Sequence, residues 1–274
     1  MDRRENGKGR DQMRIGVIGA GIVGRATARA FLEWADVRVY DVTPERRTHS
    51  LVEALDSSLI FVCLPTPQKE GSLECDTSII DKFFAGHAGY NLNFVLRSTV
   101  PVGTTRRLVK EYDLPNLVHS PEFLTARCAV TDAQTPARNI VGGGECHCKA
   151  ALASLYALRF PGVPVHLMTS DESELVKLVT NAFFAVKVAY FNEAYTLADK
   201  LGCDWQRIMA GVLSDGRIAH SHTRVPGHSG FGFSGTCLPK DLANMVHLLE
   251  SHGLLSAVTM GALARNQEDV ERSE

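Results

Sequence analysis

The sequence has no excess of charge of either sign: 29 Lys and Arg stand against 31 Asp and Glu, a formal net charge of −2. That balance gives no support to bulk binding of nucleic acid or of an anionic membrane surface. A long uncharged apolar run is also missing. The longest apolar stretch, 175–191, carries Lys177, Thr180, Asn181 and Lys187, which makes it a poor membrane span. The segment 1–14 is polar, without the apolar core of a secretory signal. Nor is there a disulfide framework: the 7 cysteines are odd in number and scattered, which points to a reducing, cytoplasmic compartment. Internal repeats and low-complexity tracts are absent as well. What remains is a chain of 274 residues, 45% hydrophobic and 22% charged, a mix that excludes a disordered protein. At roughly 150 residues per domain its length suits about two domains.

Residues 1–12 show no periodicity and are expected to form a disordered leader. From Met13 the pattern changes. A short apolar run to Ile18 meets Gly19-Ala-Gly-Ile-Val-Gly24 and then an Ala-rich stretch, which reads as strand, glycine turn and helix. Short β-branched runs follow at 37–40, 59–63, 93–97, 117–119, 139–141 and 163–167, with candidate helices at 76–84, 103–111 and 148–158. Strands alternating with helices predict a doubly wound parallel sheet covered on both faces. Near Thr169 the β signal stops. Ser170-Asp-Glu-Ser opens a helix that meets no breaker until about Leu201 and is apolar nearly all round, so it needs cover from its own chain or from a second copy. Further helices are expected at 204–213, 239–251 and 255–269, around a Gly/His/Pro-rich loop at 215–236. The expected organisation is an α/β dinucleotide-binding domain at 13–168 and an all-helical domain with one long central helix at 169–274.

Gly19-x-Gly21-x-x-Gly24 is a weak signal alone, but here a strand precedes it, a helix follows, and Asp41 ends the next strand. Gly19 permits the tight turn, Gly21 lets a pyrophosphate approach the helix N-terminus, and Gly24 allows close helix–strand packing. Asp41 can accept both ribose hydroxyls and would repel a 2′-phosphate, so NAD is expected over NADP; Arg46 and Arg47 soften that preference. A second candidate centre is Cys237, in Gly232-Phe-Ser-Gly-Thr-Cys-Leu-Pro-Lys-Asp241. Pro239 suits the first turn of a helix, which puts Cys237 at its N-terminus, where the dipole and Lys240 would favour the thiolate. An inert buried thiol is the alternative. Lys177 and Asn181 share one face of the long helix with Phe184, Ala185 and Val188, a covered face on which two polar groups need partners. An active site would supply them; so would snorkelling of Lys177 to solvent, or pairing with Glu174. Cys146-His-Cys148 resembles half a metal site without a second pair, and His220, His222 and His228 lack a fourth ligand, so no metal is expected.

In their order along residues 14–267, these motifs resemble the UDP-glucose/GDP-mannose dehydrogenase family. The resemblance rests on the glycine turn, Val62-Cys-Leu-Pro-Thr-Pro67, Ser98-Thr-Val-Pro-Val-Gly-Thr104 and Ser120-Pro-Glu-Phe-Leu124. It continues through Glu174-Leu-Val-Lys-Leu-Val-Thr-Asn181, Asn192-Glu193, Asp215-Gly-Arg-Ile218, the Cys237 segment and Asn266-Gln267. It implies NAD-dependent oxidation of the primary alcohol of a nucleotide sugar to a carboxylate. It implies Cys237 as nucleophile, Lys177 and Asn181 as oxyanion donors, Asp241 and Thr99 on water, and Glu122 in hydrolysis. NAD contacts are implied at Gly19, Gly21, Ile22, Val23, Gly24, Asp41 and Arg46, at Leu64, Pro65, Thr66, Ser98 and Thr99, and at Lys240. Substrate contacts are implied at Glu122, Phe123 and Leu124, at Lys177 and Asn181, and at Arg217, His222, Phe233 and Gly235. A homodimer through the helix at 171–200 is implied too. Three departures stand out: Ala126 where the family often has a second Glu, Ser234-Gly235 in place of a glycine pair, and an end seven residues after Gln267. The last leads to the expectation that a C-terminal nucleotide-binding domain is absent and that the substrate is a nucleotide sugar or a smaller nucleotide or sugar phosphate. A two-electron hydroxyacid dehydrogenase, which needs no cysteine, and a non-catalytic NAD-binding relic are the competing expectations.

Overall fold

The computed structural model describes residues 13–228 and 230–272; the leader expected at 1–12 lies outside them. By its contacts the chain divides into two compact units, one of residues up to 66 and 77–174, the other of 67–76 and from 175 onward.

The first unit is built on a seven-stranded sheet of order β2-β1-β3-β4-β5-β6-β7. The strands are β1 (Arg14–Ile18), β2 (Asp36–Tyr40), β3 (Leu59–Val62), β4 (Phe94–Leu96), β5 (Leu117–His119), β6 (Asn139–Gly142) and β7 (Val165–Met168). The strands β3 to β6 are buried at every residue, as expected of a sheet covered on both faces. Phe61 and Val95 pack on one side with α1 (Ile22–Phe31), α5 (Ala129–Gln134) and α6 (His147–Arg159). Ile60, Val62 and Leu96 pack on the other with α2 (Leu51–Leu55), α3 (Ser78–Ala85) and α4 (Thr104–Glu111). The doubly wound, mostly parallel sheet is present as expected, with one departure. The sheet is parallel from β2 through β5, but β6 pairs with β5 antiparallel, at His119 and Gly142, and β7 runs parallel to β6. The connection between β5 and β6 contains only the six-residue α5 and a turn of 3-10 helix at Ala126–Cys128. A crossover to a parallel neighbour is usually made by a full helix, and here there is none, so the chain turns back.

Glu174, in the second turn of α7 (Ser170–Lys200), is 1% exposed and caps the start of α4. Its Oε2 accepts the N–H of Gly103 at 2.6 Å, and its Oε1 accepts the N–H and hydroxyl of Thr105 at 2.8 and 2.6 Å. Burial pushes this carboxyl from an ordinary 4.5 up to about 7, against the opposing bonds from Thr105 and Gly103, with Asp171 adding to the rise. Between those two pH values the folded chain keeps a proton that the unfolded chain has released, so this group makes stability fall as pH rises across the window. In Glu174→Gln the fall, about 3 kcal/mol at most by linkage, should disappear from the pH dependence of urea midpoints. An unchanged profile would contradict the assignment.

The second unit consists of the rest of α7 with α8 (Trp205–Leu213), α9 (Leu238–Ser251), α10 (Ala257–Glu271) and the short segment 67–76, closed by a bridge between Gln68 and Cys75. The buried line of α7 includes Leu178, Ala182, Ala185 and Ala189, and the last three share a core with Phe233, Leu242 and Ala262. Another face of α7 is left bare: Leu175, Val179, Phe183, Tyr190 and Leu197 are 39 to 65% exposed. Among the described residues no helix is long and apolar enough to cross a membrane.

Candidate active site

The glycine turn is in place at the end of β1. Gly19 has φ +91°, and a Cβ there would stand 2.5 Å from the Cys63 carbonyl oxygen. A Cβ on Gly24 would stand 1.8 Å from the Gly19 carbonyl oxygen, whereas at Gly21, the N-cap of α1, it would meet nothing within 4 Å. Thus the turn is closed on the protein side and open where a ligand would approach. Ile22 and Val23 form the first turn of α1. The Asp41 carboxylate accepts the Ala20 N–H at 2.6 Å through one oxygen and the Thr43 N–H at 2.8 Å through the other. Burial alone would raise this carboxyl, but those amides and the nearby Arg46 charge outweigh it and hold it below its usual range. Each oxygen has a further lone pair to offer a ribose hydroxyl. These residues fit a dinucleotide, with Gly19 to Gly24 at the pyrophosphate and Asp41 at a ribose.

The loops after β3 and β4 are pinned together. Ser98 Oγ donates to the Leu64 carbonyl at 2.6 Å, and Thr66 Oγ1 donates to the Thr99 carbonyl at 2.7 Å. Leu64, Pro65, Thr66, Ser98 and Thr99 therefore form one surface beside the glycine turn, which Cys63 also touches. Burial pushes the Cys63 thiol up to about 12, so it is no nucleophile. After β5, Glu122 is 9% exposed and folds one oxygen back onto the Leu124 N–H at 2.5 Å. Phe123 lies under the Arg138 guanidinium, 3.9 Å from ring centre to carbon.

In the second unit, Cys237 is exposed and is the N-cap of α9, with no side-chain capping bond. The Asp241 N–H closes the first turn on the Cys237 carbonyl at 2.9 Å. Asp241, 1% exposed, accepts the Asn181 amide at 2.6 Å through Oδ2 and the Lys240 ammonium at 2.5 Å through Oδ1. Lys240, which the sequence sets beside the thiol, is paired with the adjacent carboxylate. Lys177 is 3% exposed, which rules out snorkelling to solvent. The glycine-rich segment before Cys237 is clamped by two asparagines. Asn266 accepts the Phe233 N–H at 2.6 Å and donates to its carbonyl at 3.0 Å, and Asn192 accepts the Gly232 N–H at 3.1 Å. Gly232, at φ +70°, has no room for a Cβ, which would meet Asn266 Oδ1 at 2.6 Å. The sequence places Asn192 and Asn266 in motifs but assigns them no work; an amide that satisfies both groups of one distant residue has no local signature.

Two expected substrate residues are turned to other partners. Arg217 forms a paired contact with Asp215, 2.5 Å at its shortest, with its side chain 89% exposed. His222, at φ +62°, stacks on Phe184 with ring centres 4.1 Å apart, and burial followed by the Lys187 charge lowers its pKa. Gly235, at φ +83°, has open space where a Cβ would stand. No group of three or more metal-ligating side chains is found among the described residues.

Comparison with known proteins follows the same order of motifs. Residues 45–159 match the NAD binding domain of the UDP-glucose/GDP-mannose dehydrogenase family, and residues 171–268 match its central domain. NAD is the cofactor that this match assigns. A UDP-glucose 6-dehydrogenase from Campylobacter jejuni is 30% identical over 78% of the chain and 55% of its own length. One from Pseudomonas aeruginosa is 30% identical over 94% of the chain and 66% of its own length. A solved UDP-glucose dehydrogenase from Pyrobaculum islandicum superposes with a TM-score of 0.80 at 26% identity, covering 96% of this chain and 70% of that one. The chain spans about half to two thirds of the length of these curated relatives. With both family domains matched in order along the chain, and relatives 30% identical over 78% and 94% of it, the chain belongs to the UDP-glucose/GDP-mannose dehydrogenase family.

Proposed function

We propose that the protein is an NAD-dependent dehydrogenase that oxidises the primary alcohol of a nucleotide sugar to the carboxylate, by way of a thiohemiacetal and a thioester on Cys237. The observation that carries this reading is the helical unit's own cluster: a buried lysine, a buried amide held by a buried aspartate, and an exposed thiol at the N-terminus of the helix that carries the aspartate. NAD, held at the glycine turn and Asp41, would supply the hydride acceptor, two molecules being used in turn, one for each oxidation. In the first, the substrate hydroxyl loses its proton to a base and its carbon loses hydride, leaving an aldehyde. The Cys237 thiolate then adds to the carbonyl carbon, forming a C–S bond, and the oxygen takes a proton to give the thiohemiacetal. Loss of that proton and of a second hydride leaves the thioester. Water adds to its carbonyl, the C–S bond breaks, and acid and thiol are released. Lys177 and the second N–H of Asn181 supply positive charge and a donor for the oxyanions that precede each collapse. Asp241 positions Asn181, while Thr99 and Glu122 are assigned to the water step. Lys240 and the residues of the glycine turn, with Arg46, Leu64, Pro65 and Ser98, are assigned to the cofactor; Phe123, Leu124, Arg217, His222, Phe233 and Gly235 to the substrate.

The test is stoichiometry. A panel of nucleotide sugars, nucleotides and sugar phosphates, followed at 340 nm, should contain a substrate that yields two NADH per molecule oxidised. One NADH per molecule selects the two-electron hydroxyacid reading, and silence across the panel selects an NAD-binding protein without turnover. The proposal includes residues 13–168 as cofactor domain, 169–274 as catalytic and dimerisation domain, and a cytoplasmic setting in which the seven cysteines stay reduced. It also includes a homodimer through the bare apolar face of α7, because a row of exposed Leu, Val, Phe and Tyr is costly to leave in water. Sedimentation as a monomer at micromolar concentration would overturn the dimer alone.

A further inference from the structure

Beneath the segment that joins β5 to β6, the first unit holds a cavity of about 310 Å³, within the usual size of small-molecule sites. Two guanidinium groups line it, Arg97 and Arg138. Among the described residues neither has a carboxylate within ion-pair distance. Arg97 Nη1 donates to the Tyr156 hydroxyl at 2.9 Å and, at 3.4 Å, to Ser120 Oγ, but its Nε has no partner. Arg138 rests on the Phe123 ring and, among the described residues, makes no hydrogen bond. A third donor lines the same cavity: Asn139 is 8% exposed and its Nδ2 is unsatisfied. Glu122 and Asp132 also line it, yet each already has an oxygen on a backbone amide, those of Leu124 and Thr125. Elsewhere the wall is aromatic, from Phe31 and Phe160.

Part-buried guanidinium groups without an ion-pair contact, beside an unsatisfied buried amide, are costly unless something with acceptor oxygens completes them. A planar acid group suits a guanidinium best, because two of its oxygens meet two N–H groups at once. We propose that this cavity binds a small organic anion, with a carboxylate or phosphate head against Arg97 and Arg138 and a flat apolar body against Phe31 and Phe160. The cavity is distinct from the glycine turn and Asp41 but shares Glu122, Phe123 and Leu124 with the residues assigned above to water and substrate; its test measures binding and not turnover, so the two readings fail separately.

The full chain, saturated with NAD, is titrated with benzoate and separately with inorganic phosphate and followed by backbone-amide NMR. Benzoate is expected to shift the amides of residues 121–139 saturably, and more tightly than phosphate, because only benzoate reaches the aromatic wall. Arg138→Gln and Arg97→Gln should each weaken benzoate about tenfold or more, the loss of one charged hydrogen-bonding group. Because Arg97 also braces Tyr156, Arg138→Gln is the deciding variant, with an unchanged melting midpoint in the absence of benzoate as its control. Failure of both probes to saturate overturns the proposal. So does phosphate binding as tightly as benzoate, benzoate binding that Arg138→Gln leaves intact, or shifts that appear only when NAD is left out.

Discussion

In Cys237→Ala, acid formation should fall by on the order of 10⁴-fold or more, and the NADH yield should drop from two to at most one per substrate. Cys237 caps no backbone amide and is exposed, and its one side-chain hydrogen bond, with the Thr236 hydroxyl at 3.8 Å, is exposed too, so its truncation leaves no cavity and no buried orphan. Stability should therefore stay within about 0.5 kcal/mol, which separates lost chemistry from lost fold. Without the thiol there is nothing to hold the aldehyde covalently while the second hydride leaves, and the first, reversible oxidation is all that remains. A two-electron dehydrogenase gives the opposite result, one NADH per substrate with and without the sulfur. Counting NADH against substrate consumed in both proteins decides between them.

The elements of the first unit that could be read from the sequence are those whose pattern is local. β1, the glycine turn and α1 follow from an apolar run, three glycines and alanines, and the structure has them at Arg14–Ile18 and Ile22–Phe31. The long helix, expected from Ser170 to about Leu201, ends at Lys200. Strand order and direction are a different matter. The reversal of β6 rests on a single pairing of His119 with Gly142 and on a connection too poor in helix to cross over, and neither leaves a periodic trace. Likewise α2 and α5 are too short for a 3.6-residue period to declare itself. The segment 67–76 counts with the helical unit although it lies between β3 and α3 in the chain. Nothing in ten residues of mixed composition announces that.

For the site, residue types were legible where chemistry restricts them: Asp41 after a glycine turn, a thiol at a helix start, a lysine and an amide on a covered face. The structure adds what spacing does not contain. Asn181 and Asp241 are 60 residues apart and share one hydrogen bond at 2.6 Å. A second bond to Asp241 comes from Lys240, whose ammonium meets the other carboxylate oxygen at 2.5 Å. Arg217 is paired for a local reason, since Asp215 two residues earlier offers it a carboxylate at little entropic cost.

Lys177→Ala should lower kcat by about 10²- to 10³-fold while NAD binding is retained, the size of loss seen when one preorganised donor to an oxyanion is removed. Lys177 is 3% exposed, so the methylenes of its stem are packed and the alanine leaves a void as well as a missing charge. Lys177→Met separates the two effects: it restores most of the stem volume without the ammonium, so stability should recover and turnover should not. An ammonium in a water-excluded position acts on charge that develops during reaction, and a thioether of similar length has none to give. Recovery of turnover in Lys177→Met would reassign Lys177 to packing. Loss of NAD affinity in either variant, measured by quenching or calorimetry, would move Lys177 to the cofactor instead.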